Sequence, residues 1–194
     1  MGRVREFEDK KALEKAMLLF WEKGYDNTSL KDLLKEMNIL NGSFYNTFGN
    51  KKNLLLKALE YYGEEVTAKR GEVLTSKALF REGIRALFDE TFQCLGDRNM
   101  PNGCMIANSL SAELLKDPDL NRFLLNEVKQ FESFFAHHIE KAIKSGELSS
   151  LLDAKKTASI LVAYIQGCMK LSHVEFDKDK FKEQTEYFLT SIGL

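Results

Sequence analysis

Two short amphipathic segments inside the stretch Thr28–Tyr62, separated by the residues NILN, constrain this chain more than anything else in it. In TSLKDLLKEM, Leu30, Leu33, Leu34 and Met37 recur at i, i+3, i+4 and i+7, one apolar stripe on a short helix. Thr28 and Ser29 stand at the N-cap, where a hydroxyl accepts the free amides of a first turn. Asn38 suits the left-handed conformation that ends such a helix, and Ile39 restarts the apolar pattern. A second helix fits Gly42 to Phe48, with Phe44 and Phe48 on one side. Packing alone does not account for a helix this short. Its other residues include Ser43, Tyr45 and Thr47, hydroxyl groups suited to phosphates and base edges. Two short helices around a tight turn follow the helix-turn-helix plan, whose second helix enters the DNA major groove.

The residues Ala16, Phe20, Gly24, Tyr25, Thr28, Ser29, Leu33, Gly42, Ser43, Phe44, Tyr45, Phe48, Lys51 and Leu54 together resemble the N-terminal DNA-binding domain of the TetR family of transcriptional regulators. The string GSFYNTFGNKKNLL is similar to that family's recognition helix and the helix after it. The chain departs from the family pattern at Thr47, where a His is common, at Asn38, where a Gly is common, and at Leu40, where a small capping residue is common. On this resemblance the operator-facing residues are Thr28, Asn41, Gly42, Ser43, Tyr45, Asn46, Thr47 and Lys51. Thr28 and Tyr45 would position the helix on phosphates, Lys51 would meet the backbone, and Asn41, Ser43 and Asn46 would read bases. The resemblance also implies a homodimer on a palindromic double-stranded operator, paired through its last two helices.

The whole chain reads as all-α. Only Pro101 and Pro118 interrupt it, and no sustained apolar/polar alternation marks a strand. Residues 1–60 hold eleven Lys/Arg against nine Asp/Glu, a balance of +2, and the remainder holds seventeen against twenty, −3. That mild asymmetry excludes a bulk polyanion binder, yet its sign suits an N-terminal DNA module on an acidic body. Three cysteines without paired spacing argue against a disulfide framework. With no signal-like segment and no membrane-length apolar run, the expected setting is the cytoplasm, with no membrane partner.

Residues 1–50 are expected to form the three-helix DNA-binding domain and 51–194 a helical regulatory and dimerisation domain, with a fourth helix over about 51–74 linking them. Arg3 and Arg5 lie in a basic N-terminal arm, followed by a helix from about Glu8 to Lys23 that Gly24 ends. Asn50 caps the fourth helix, and polar residues open the body. Further helices are expected over Lys77–Leu95, Cys104 to about Leu115, Asp117–Ser145, Asp153 to about Val174, and from Asp177 or Asp179 to the end, with the clearest loop at 96–103.

No acid, base or nucleophile set is visible, so an enzyme is not expected, and neither a cofactor nor a metal is implied. His137 and His138 are adjacent and point to different faces of a helix, unlike an i, i+4 metal pair. Fourteen phenylalanines, most of them after residue 62, suggest an apolar cavity for a small-molecule effector. Its candidate lining is Phe88, Phe92, Met105, Phe131, Phe135, Tyr164, Gln166 and Met169. Cys104 follows Pro101-Asn102-Gly103 at a helix start, where amides and the helix dipole favour a thiolate, with Lys170 as the basic partner. The Gly103-Cys104 pair is similar to a subgroup of TetR-like regulators that includes thiol sensors, which makes Cys104 a candidate redox or electrophile sensor. These features point to a ligand-responsive repressor; the alternative is a small-molecule carrier with a vestigial helix-turn-helix.

Overall fold

The computed structural model describes the backbone of residues 2–97 and 100–194, and the side chains of residues 10–95, 97 and 100–194. Ten α-helices run in order: α1 (Gly2–Lys23), α2 (Leu30–Met37), α3 (Asn41–Phe48), α4 (Lys51–Tyr62), α5 (Ala68–Thr75), α6 (Phe80–Gly96), α7 (Met105–Ser109), α8 (Pro118–Lys144), α9 (Ala154–Leu171) and α10 (Lys178–Ser191). Among the described residues there is no strand, and no helix is long and apolar enough to cross a membrane. The backbone of α1 starts at Gly2 rather than near Glu8, while the side chains of Arg3 and Arg5 lie outside the described residues.

The first unit closes around Ala16, Phe20, Leu33, Phe44, Leu54 and Ala58, all buried at the meeting of α1 to α4. Burying each large apolar side chain contributes about 1.5–3 kcal/mol, and these short helices depend on that shared core. Ser29 caps α2 in a reciprocal box: its hydroxyl accepts the Asp32 amide at 3.1 Å, and the Asp32 carboxylate accepts the Ser29 amide at 3.1 Å. Asn38 ends α2 in the left-handed region, φ 55°. The Asn50 side chain accepts the Asn53 amide at 2.8 Å and opens α4.

Residues 63–75 continue the helical path of α4, but not as one unbroken α-helix. A π turn at Gly63–Thr67 joins α4 to α5, with the Ala68 amide donating to the Gly63 carbonyl five residues back. The π turn advances the helix by one residue, so α5 presents a different face from the one that a continuous α-helix would present. Above it, α6 packs closely on α5: a Cβ at Gly83 would collide with the Leu74 carbonyl. The expected start of α6 at Lys77 moves to Phe80 because Glu147, just past the end of α8, caps it. Its carboxylate accepts the Phe80 and Arg81 amides at 2.9 and 2.7 Å.

Between α6 and α8 the expected helix from Cys104 to Leu115 is two pieces. After one turn of α7 the chain breaks at Leu110, and a 3-10 turn follows over Leu114–Lys116, its first amide held by the Ser111 hydroxyl at 3.2 Å. Asp117 caps α8, with Pro118 in its first turn. Asp153 and Asp177 cap α9 and α10, and α9 stops at Leu171, short of Val174. Six rings, those of Phe88, Phe92, Tyr164, Phe176, Phe181 and Phe188, tie α6, α9 and α10 together. The outer face of α9 and α10 leaves Leu171, Val174 and Tyr187 at 62%, 86% and 80% exposure.

Glu147→Ala should leave two α6 amides uncapped and lower stability by about 1–2 kcal/mol, read from urea unfolding at neutral pH.

Candidate nucleic-acid interface and internal cavity

The outer face of α3 exists because Phe44 and Phe48, four residues apart, are both drawn into the core. Asn41, Gly42, Ser43, Tyr45 and Asn46 are left exposed and Thr47 half-buried. The ring of Tyr45 stands edge-on against Phe44, centroids 5.3 Å apart, so half of it projects from the helix in a fixed direction. No side chain caps α3. Leu40 occupies the N-cap at 80% exposure, and the first amides of the helix have no side-chain acceptor. Helix-terminal amides of that kind suit an anionic oxygen.

Lys51 lies beside this face at the start of α4, its ammonium 4.1 Å from the centre of the Tyr25 ring, which stacks in turn on Phe20. Burial lowers its pKa, with Asp26 opposing. A cation held over a ring stays charged and loses little side-chain freedom on meeting a phosphate. Thr28 is the exception among the expected residues. It is fully buried, and its hydroxyl donates to the Gly24 carbonyl at 2.6 Å, bracing the turn between α1 and α2. Thr28 therefore braces the surface from behind.

Within the body, an internal cavity of about 710 Å³ opens between the α4–α5 helix and α8. Phe131, Phe135, Gln166 and Met169 of the expected lining form its walls, joined by Phe134, Val162 and Ile165. Phe88 and Phe92 do not belong to it: they are core rings between α6 and α10. Met105 is buried core, and Tyr164 faces the other side of α9, stacked 3.8 Å from Phe188 with its hydroxyl 3.2 Å from that of Thr185. Periodicity marks apolar residues as inward-facing but does not separate a packed interior from a hollow one.

Apart from Gln166, the polar lining was not legible in the sequence. Tyr62, Arg70, Thr91 and Glu127 reach the cavity, with Glu60, Glu64 and Glu72 at its exposed side. Arg70 is turned inward by the π turn, and its guanidinium donates to the Tyr62 hydroxyl at 3.4 Å. Burial raises the pKa of Tyr62 well above the ordinary phenol value. Burial, then the nearby Glu60, raises that of Glu127. Cys104 lines the same cavity at 5% exposure, near Tyr62 and Arg70. Its basic neighbour is thus Arg70 rather than the exposed Lys170. With α7 only five residues long, the helix dipole behind Cys104 is slight. Among the described residues no cluster of His, Cys, Asp or Glu could hold a metal.

Cavity and DNA face share a wall. The Tyr62 ring packs edge-to-face on Trp21 of α1, centroids 4.9 Å apart, and the Trp21 indole donates to the Asn102 carbonyl at 3.1 Å, two residues before Cys104. On the far side, Lys52 of α4 bridges Asp117 and Asp119 at the start of α8, at 3.1 and 2.9 Å.

Two family models match the chain: bacterial regulatory proteins of the tetR family over residues 12–58, and the tetracyclin repressor-like C-terminal domain over residues 81–188. The HTH-type transcriptional regulator YezE of Bacillus subtilis (strain 168) is 37% identical over 193 residues, 99% of this chain and 100% of that protein. The HTH-type transcriptional repressor ComR of Escherichia coli (strain K12) is 26% identical over 86% of this chain and 80% of its own. A cysteine mutant of the TetR family regulator CifR, solved on 26-base-pair double-strand operator DNA, superposes with a TM-score of 0.84 at 26% identity, covering 94% of this chain and 95% of that one.

Two substitutions should separate the front of the DNA face from its support. Thr28→Val should cost about 1 kcal/mol in urea unfolding through the lost hydroxyl bond. Tyr45→Ala should leave stability within about 0.5 kcal/mol and weaken DNA binding in fluorescence anisotropy.

Proposed function

This chain belongs to the TetR family and is a DNA-binding transcriptional regulator, and from that premise we propose that it is a homodimeric repressor released from a palindromic operator by a small apolar effector. Membership replaces the alternative of a carrier with a vestigial helix-turn-helix. The observation that carries the proposal is the shared wall: Tyr62 lines the cavity and packs on Trp21 of the DNA-binding unit.

In the DNA-bound state, Asn41, Ser43 and Asn46 read base edges, while Tyr45, Thr47, Lys51 and the free amides at the start of α3 hold phosphates. Two copies pair through α9 and α10, where Leu171, Val174 and Tyr187 offer an apolar face. An effector between α5 and α8 displaces Tyr62 and with it α1 and α4, changing the separation of the two reading helices. The effector acts by preferring that displaced state, so its effect on the operator is bounded by its differential affinity. The name of ComR as a repressor supports the sign of regulation.

A second route is favoured by one observation, the placement of Cys104 inside the same cavity. An electrophile adding to its sulfur would occupy the cavity covalently and act as the effector does.

The test is titration of the purified protein into a labelled fragment of its own promoter, over a range of salt. Tyr45→Ala with Lys51→Ala should lower affinity by about tenfold or more, and Lys51→Ala alone should reduce the salt slope by about 1. Unchanged affinity would overturn the reading surface. For the thiol route, N-ethylmaleimide should release the wild type and spare Cys104→Ser; equal release of both would remove Cys104 from the mechanism.

A further inference from the structure

We infer that the cavity selects an amphipathic monocarboxylate, its anionic group on Arg70 and its apolar body against Phe131, Phe134 and Met169. This inference rests on the effector reading of the cavity and goes beyond it to the chemistry of the ligand.

Arg70 is the only Lys or Arg among the residues lining the cavity. Its neighbours among the described residues include the Tyr62 hydroxyl at 3.4 Å and the thiols of Cys94 and Cys104. Among the described residues no carboxylate pairs with it. A guanidinium partly withdrawn from water without an anion is costly, and arginine does not relieve the cost by losing its proton. The nearest available relief is not within the protein. Glu127 lines the same cavity, its pKa raised by burial and then by Glu60, and among the described residues it forms no ion pair with Arg70. Glu60, Glu64 and Glu72 are exposed to water.

A carboxylate fits the planar fork of N–H donors that a guanidinium presents. The rest of the cavity sets the remaining chemistry. Its volume, about 710 Å³, suits a molecule of drug size, and its walls are mainly aromatic and aliphatic. The buried side-chain oxygen of Gln166 has no hydrogen-bond partner, so it can accept one from a hydroxyl or N–H on the ligand body. The half-buried Glu127 in the same lining opposes a second negative charge, which disfavours phosphates and dicarboxylates.

The experiment compares naphthaleneacetate with its neutral and cationic analogues, naphthaleneethanol and naphthaleneethylamine, by calorimetric titration of the full chain and by release of labelled promoter DNA. The acid should bind about tenfold or more tightly than the alcohol, the amine most weakly, with DNA release in the same order. Arg70→Gln should abolish the preference and Arg70→Lys should retain part of it. Equal binding of acid and alcohol, or tightest binding of the amine, in the wild type alone would overturn the anionic assignment while leaving the cavity as the effector site. Failure of all three to bind would overturn both. A preference that survives in folded Arg70→Gln would assign the anchor elsewhere.

Discussion

The contact between Tyr62 and Trp21 is the interaction on which the rest of the molecule depends. Tyr62 ends α4, the helix that follows the reading helix, and Trp21 ends α1, the helix that supports it. One side of the Tyr62 ring is DNA-binding core, and its hydroxyl belongs to the cavity. The Trp21 indole holds the loop before Cys104 through Asn102. A change inside the body therefore meets the DNA-binding unit through packed rings and one hydrogen bond, with no flexible linker between them. Packed interiors shift between discrete arrangements rather than deform smoothly, which is what a release mechanism requires.

Electrostatics hold the same joint at its other end. Lys52 bridges two aspartates at the start of α8, one of which, Asp117, is also the cap of that helix. The cavity starts at the last turn of α4, at Glu60 and Tyr62, and continues along the π turn and α5, with no earlier residue of α4 in its lining. The π turn serves this arrangement by turning Arg70 toward the cavity.

Local chemistry made the reading end legible in the sequence. Ser29, Asn38, Asn50, Asp117, Asp153 and Asp177 each carry a cap signal that needs no tertiary partner, and each ends or begins a helix in the structure. Phe44 and Phe48 fixed which side of α3 faces inward. Where the outcome depended on distant residues, the sequence was silent. Glu147 capping α6 arises from a contact between elements 66–67 residues apart in sequence. The cavity was half legible for the same reason. Phe131, Phe135, Gln166 and Met169 carry its walls, while Phe88 and Phe92 show the same periodicity and pack solid core. Arg70 gave no signal, because its inward turn depends on a π turn in a polar stretch.

The central claim is that filling this cavity weakens operator binding through α4. The most direct measurement is operator affinity across a series that fills the cavity from within: Val162→Leu, Val162→Phe and Val162→Trp, with helicity and dimer content checked by circular dichroism and sedimentation. Val162 lines the cavity on α9, away from every DNA-facing residue. The account expects affinity to fall stepwise with side-chain size, to about a tenth or less for Trp, in proteins that stay folded and dimeric. Wild-type affinity in a folded Val162→Trp protein would contradict it.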